Sequence, residues 1–276
     1  MFDLDHTTFA AALRAAGEAL DPVSANLLFA REIAYPALRP SEYLAQLDEL
    51  RAAAAQALAA APLAPAQALA GYLFGEHGFR GNRVDYHDPR NSFLNDVLDR
   101  RLGLPISLSV LYTHLARALG LPAQDIGLPG HFIVAVGEGA GVQYLDPFNG
   151  GAHLTRADCV QLVTRATGYT GRFDPRWLAP TPPRAIVARM LNNLRNTYTE
   201  AEDWPLTSRV IERLRELEPD QPGHVRDLGM VFYKDGAYSR AAQLFHEYLT
   251  LAPNAADAGT VRQSRDLLLD ELARLN

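Results

Sequence analysis

The sequence predicts an α+β protein, and three features predict it. Residues 1–73 carry helical periodicity rich in alanine and leucine. Two β-branched runs, "HFIVAV" and "VQYLD", flank a glycine-rich spacer near the middle of the chain. Beyond residue 190 a pattern recurs at a spacing of 34. These features divide the chain into a helical segment at 1–74 that packs on something larger, a mixed core at 75–178, and a helical array at 184–276.

In the first segment, Asp21-Pro22 is a helix start, a capping side chain followed by a proline in the first turn. Further on, Leu44, Leu47, Leu50, Ala54 and Leu58 fall on one stripe. Alanine favours helix but fills little volume, so these helices need a partner to pack against.

Residues 75–90, "GEHGFRGNRVDYHDPR", break the periodicity with glycine, proline and polar side chains. His77, Asp85, His87 and Asp88 raise the question of a metal. Their spacing matches no ligand helix or knuckle, so no metal is expected and the segment reads as a solvated or substrate-lining loop. Asn91 is expected to cap a helix with Phe93, Leu94, Val97, Leu98 and Leu102 on one face, stopped by Gly103. The next helix runs from Pro105 to Gly120, with Leu108, Leu111, Tyr112, Leu115 and Leu119 as its buried stripe. Ser107 falls in its first turn, where the helix dipole favours negative charge.

The two β-branched runs read as a hairpin. If Glu138 and Gly139 form a two-residue loop, pairing partners sum to 277 and His131 faces Asp146; a loop of another length shifts the register by a residue or two and still leaves the two side chains close across adjacent strands. This is the geometry an imidazole–carboxylate pair requires. Each residue also has a plainer reading: a histidine at a strand start caps a loop, and an aspartate before proline starts a turn. The four prolines of "FDPRWLAPTPPRAIV" then read as a linker. After it, Trp204, Leu217 and Pro219 recur as Tyr238, Leu251 and Pro253, and Tyr198 recurs as Phe232. This period is the tetratricopeptide signature. Leu228, Gly229, Phe232, Ala241, Phe245 and Pro253 fit the second copy. The first copy departs from it, with Arg195 in place of glycine and Thr207 in place of alanine. A last helix, "GTVRQSRDLLLDELARL", is expected to cap the array.

Composition bounds the function. The net charge of −6 argues against non-specific nucleic-acid binding. The single cysteine, Cys159, allows no internal disulfide and no multi-cysteine zinc site, which suits a reducing compartment. The acidic start "MFDLDHTTF" does not read as a secretion signal, and no apolar run is long enough for a membrane span. A cytoplasmic protein is expected.

A helix start followed by a hairpin bearing His and then Asp resembles the transglutaminase-like superfamily, which includes papain-related cysteine enzymes. The turn Gly120-Leu121-Pro122-Ala123 and the dipeptide Asp146-Pro147 carry the likeness. More closely, "NSFLNDVLDRRLGLPISLSVLY", "GLPGHFIVAV" and "YLDPFNGG" resemble the bacterial SirB-type family, which joins such a core to tetratricopeptide repeats. The resemblance implies a papain/transglutaminase-like core and a bacterial regulator. It also implies a cysteine at the start of the core helix, but here that stretch is Pro105-Ile106-Ser107-Leu108.

Three functional readings follow. In the first, the chain is a binding or regulatory module without the nucleophile, with His131 and Asp146 lining a cleft and the repeats docking a protein or peptide. In the second it is a peptide or amide hydrolase, with Ser107 attacking, His131 as base and Asp146 orienting the imidazole. A serine needs its base to take the proton, which a helix-terminal thiolate does not. In the third, a loop histidine joins His131 and Asp146 in metal-dependent hydrolysis. No cofactor is expected for the first two. Cys159 reads as a small buried side chain. His114, two turns beyond Ser107, and Asn95, a polar residue among apolar ones, are the remaining candidates for the cleft. Asn91, Arg100 and Arg101 read as capping and solvated residues.

Overall fold

The computed structural model describes residues 3–60 and 64–275. Residues 1, 2, 61–63 and 276 lie outside that description, and with them parts of the expected N-terminal helical segment, its acidic start and the array. The first helices are α1 (Phe9–Ala16), α2 (Pro22–Ile33), α3 (Pro40–Ala60) and α4 (Pro65–Ala70), the last running into a wide turn at Gly71–Glu76. Asp21 caps α2 as its position predicts, accepting bonds from the Val23 and Ser24 amides. The stripe on α3 also holds, with Leu47 and Ala54 buried and Leu44, Leu50 and Leu58 packed beside them.

A two-residue strand β1 (Arg80–Gly81) pairs in parallel with β2 (Leu102–Gly103), which follows α5 (Leu94–Arg100). Two expectations fail here. Asn91 does not cap α5. The Leu94 amide at its start is instead accepted by Asn26 Oδ1, reaching across from α2, while Asn26 Nδ2 donates to the Ser92 carbonyl. The stop is Arg101, in the left-handed region at φ 60°, not Gly103.

Helix α6 (Pro105–Ala118) is the centre of the molecule. The whole stretch from Pro105 to Thr113 is buried, so the expected stripe is really a buried cylinder. Helices α2, α3, α4 and α5 pack around it, with the sheet on another side. That sheet has four antiparallel strands in chain order among the described residues: β3 (Ala123–Ile126), β4 (Ile133–Val136), β5 (Gln143–Asp146) and β6 (Ala152–Leu154). Val134 and Val136 join the main interior with α6, while Ile133 and Ala135 face the other way. There they meet Cys159, Leu162 and Val163 of α7 (Arg156–Thr167). The alternation of side chains along a strand puts β4 between two helices. Each such aliphatic side chain removed from water contributes roughly 1.5–3 kcal/mol.

The predicted hairpin forms, but in a different register. Val134 pairs with Leu145 and Ala135 with Tyr144, so partners sum to 279 rather than 277. Residues 137–142 form a longer connection, with a helical turn at Gly139–Gly141. His131 precedes its strand and does not pair with Asp146 in the ladder.

The proline-rich segment is tied down. The Thr181 amide donates to the Asp125 carbonyl, and Thr181 Oγ1 accepts from the Gly127 amide. After it come α8 (Pro183–Glu200), α9 (Trp204–Leu217), α10 (Gly223–Lys234), α11 (Tyr238–Leu251) and α12 (Ala258–Leu275). Ile186, Val187, Met190 and Leu191 of α8 and Val210 and Leu214 of α9 share the interior of α6. Helices α10, α11 and α12 build their own interior around Leu228, Phe245 and Tyr248. Gly229 is needed in that array because a Cβ there would lie 2.7 Å from the Phe245 ring. No described helix is long and apolar enough to cross a membrane.

Candidate functional site

His131 sits at the end of the turn "GLPGH". Gly130 adopts φ +71°, and a Cβ there would lie 2.6 Å from Ala166, so glycine is required on both counts. Arg189 of α8 closes the turn from outside, its Nη2 donating to the carbonyls of Leu128 and His131 at 3.1 and 2.8 Å. Its guanidinium lies 5.1 Å from the centre of the Phe132 ring. A residue of the helix that leads into the array thus sets where the histidine stands.

Asp146 ends β5 and is 1% exposed. Its carboxylate lies 3.0 Å from His131 Nε2 and accepts from Asn149 twice, from the amide at 3.2 Å and from Nδ2 at 2.6 Å. Facing a carboxylate, His131 Nε2 carries the proton in neutral imidazole, which leaves Nδ1 as an open acceptor. Among the described residues Nδ1 makes no hydrogen bond. Arg83 Nη2 in turn donates to Asn149 Oδ1, so the polar chain runs Arg83, Asn149, Asp146, His131. Phe148 covers the imidazole edge-on at 6.1 Å, Tyr86 meets Phe148 at 5.9 Å, and Arg83 lies 5.6 Å from the Phe148 ring centre.

Ser107 is fully buried, and its bonds go elsewhere. Oγ donates to the Asn91 carbonyl at 2.7 Å and accepts from the Leu104 amide at 2.9 Å. It serves as the third residue of its helix, closing the turn back onto the residue before it. No hydrogen bond joins Ser107 to His131. The residue of α6 whose side chain reaches the histidine turn is Ser109, whose Oγ lies 3.5 Å from the Phe132 carbonyl.

The other candidates disperse. Cys159 is fully buried behind the sheet, and burial pushes its thiol up to about 11, with the charges of Asp158 and Asp146 adding to it. His114 faces Asp21, with Nδ1 3.9 Å from the carboxylate. His77 lies against Tyr72 with ring centres 4.4 Å apart, and exposed His87 lies 3.7 Å from Glu200. Asp88 is buried and paired with Arg90 and Arg100. Among the described residues no three potential metal ligands converge. Asn95 is buried with Oδ1 unpartnered.

The sequence reading missed the scaffold of the loop. Asn91, read as a helix cap, is instead the hub. Its Oδ1 accepts from Asn82 Nδ2 at 3.0 Å, its Nδ2 donates to the Asp85 carbonyl at 2.8 Å, and its own carbonyl takes the Ser107 hydroxyl. Asn149 was missed too, although it stands three residues after Asp146 in "DPFNG", the spacing of a side chain that folds back on a turn.

Residues 41–192 match the model of the transglutaminase-like superfamily, and residues 194–265 match a tetratricopeptide repeat model. The division between the two matches falls inside α8. A UPF0162 protein of Xylella fastidiosa is 39% identical over 197 residues, 69% of each chain. A UPF0162 protein of Vibrio cholerae is 30% identical over 183 residues, 66% of this chain and 67% of that one. Mouse F-box only protein 21 is similar over a shorter stretch, 37% identical over 99 residues, which is 33% of this chain and 16% of the mouse protein. No solved structure gives a significant match.

Proposed function

Since the chain belongs to the transglutaminase-like superfamily and to the UPF0162 family, we propose that it is a binding or regulatory module. In this reading it keeps a histidine–aspartate pair and does without the cysteine nucleophile. The observation that carries the proposal is the state of Ser107. A hydroxyl nucleophile must give its proton to the base. The Ser107 proton goes to the Asn91 carbonyl, and its acceptor capacity goes to the Leu104 amide. The one cysteine of the chain is buried with a raised pKa, the opposite of what a thiolate nucleophile needs.

His131, Asp146 and Asn149 then shape a polar wall rather than drive acyl transfer. The repeats supply the second surface. A groove of about 450 Å3 between α8, α9 and α10, bordered by Asn196, Trp204, Met230 and Lys234, offers apolar area with polar edges to a protein or peptide partner. A regulator acting in the bacterial cytoplasm, as the SirB-type resemblance implies, fits this arrangement.

The test is hydrolysis of a library of peptide, amide and ester substrates by the wild-type chain and by Ser107→Ala. The binding reading predicts no turnover that depends on Ser107. Turnover lost in Ser107→Ala, with folding unchanged, overturns it.

A further inference from the structure

We propose that the arginine-lined cleft next to the His131–Asp146 pair binds a phosphate monoester. This deepens the binding-module reading and rests on it, naming the chemistry of what the module holds. The cleft encloses about 640 Å3, within the range of roughly 300–1,000 Å3 found for small-molecule sites. Four guanidiniums, from Arg80, Arg83, Arg90 and Arg100, share it with two carboxylates, Asp85 and Asp88. On a chain of net charge −6 this is a local reversal of sign. A concave wall with a surplus of one sign concentrates the field on whatever enters.

The resident carboxylates do not use up these donors. Asp88 is buried and takes Arg90 Nε on both oxygens, at 3.0 and 3.1 Å, and Arg100 Nη2 at 2.9 Å. Arg100 Nη1 is then left buried without an acceptor. The Arg80 side chain makes no hydrogen bond or ion pair among the described residues. Arg83 gives one nitrogen to Asn149 and holds its guanidinium carbon over the Phe148 ring, 5.6 Å from its centre. A planar guanidinium fork held beside an aromatic ring is well suited to a tetrahedral oxyanion. The surplus of two positive charges matches a phosphate monoester, which carries about −1.5 to −2 near neutral pH, better than a single carboxylate.

The cleft also adjoins the candidate site. Phe148 and Asn149 line it, and the same two residues touch His131 and Asp146. A phosphate held on the arginines leaves the rest of its molecule beside the polar pair. Arg80, Arg83, Arg90 and Arg100 act here as ligand-binding residues, and Asp85 opposes them.

The test is calorimetric titration of the full chain with inorganic phosphate, O-phosphoserine and citrate at matched ionic strength. Saturable binding of phosphate and of O-phosphoserine is expected, with citrate weaker by about tenfold or more. Arg80→Gln and Arg83→Gln should each weaken O-phosphoserine by about tenfold, and Asp85→Asn should tighten it, with circular dichroism unchanged. Absence of saturable phosphate or O-phosphoserine binding overturns the proposal, as does unchanged affinity in Arg80→Gln. Citrate binding as tightly as O-phosphoserine overturns the phosphate assignment. Failure of phosphate binding without Ser107-dependent hydrolysis removes this site and leaves the binding-module reading intact. Ser107-dependent hydrolysis removes that reading whatever the anions do.

Discussion

Ser107 and His131 are both polar residues at the heart of the same core, and they differ in what they have left to give. The serine hydroxyl donates to one backbone group and accepts from another, and the residue is wholly buried. The histidine spends Nε2 on Asp146 and keeps Nδ1 open, with its side chain 11% exposed. Buried polar groups are nearly always bonded, so burial alone does not mark a functional residue. Spare bonding capacity facing accessible space does. By that criterion Ser107 belongs to the scaffold and His131 to the site.

The strongest challenge to this division is Asp146→Ala. It strips His131 of its partner and leaves the Asn149 amide and side chain without their acceptor. A loss of about 3 kcal/mol is expected in urea unfolding, as for a buried acceptor whose three donors are left unpaired. A loss under about 1 kcal/mol would mean the pair is a surface ornament.

Asn26 sharpens the scaffold side. It is wholly buried, far in sequence from α5, and supplies both the cap of that helix and a donor to Ser92. Asn26→Ala should cost about 2–3 kcal/mol by chemical denaturation, because two buried backbone groups lose their partner.

Asp125 is a buried carboxyl with one side-chain partner, Thr113. Burial raises its pKa to about 6, while the Thr113 bond and Arg117 pull the other way. In the unfolded chain it ionises near 4. Between these values the folded chain holds the extra proton, so this group's contribution to stability falls as pH rises from about 4 to about 6. Asp125→Asn should therefore match the wild type near pH 4 and exceed it by on the order of 2 kcal/mol above pH 6.5. Thermal melts across that range check it, and a gap that widens toward low pH would reverse the sign.

Ser107→Ala carries the smallest expected effect on stability, about 1 kcal/mol, since it removes the hydroxyl that bridges the Leu104 amide and the Asn91 carbonyl, while these two keep a 3.3 Å bond to each other. The Asp146 carboxylate and His131 should be undisturbed, which imidazole NMR shifts will show.

What the sequence made legible follows from range. The Asp21-Pro22 cap, the stripe of Leu47 and Ala54, and the strands around Val134 and Leu145 are local patterns, and all three formed. The repeat was equally plain, because a 34-residue period is visible without contacts. The hairpin register shifted by two residues from the two-residue-loop pairing, within the range that another loop length allows, because the connection carries a helical turn at Gly139–Gly141. The α5 cap failed because the acceptor of its first amide, Asn26 Oδ1, lies 68 residues away. His131 and Asp146 meet even so, through a turn fixed by Gly130 and Arg189 rather than through the ladder. The Pro175–Pro183 segment looked like a linker from its prolines, yet α8 beyond it carries the arginine that holds the histidine turn.

The most direct test of the central claim is covalent. The full chain is treated with a fluorophosphonate that labels activated serines, and the product is read by intact mass and peptide mapping. A Ser107 whose proton is held by the Asn91 carbonyl predicts no adduct at Ser107 at neutral pH. A stoichiometric adduct on Ser107, lost in His131→Ala, would contradict it and make the chain a hydrolase.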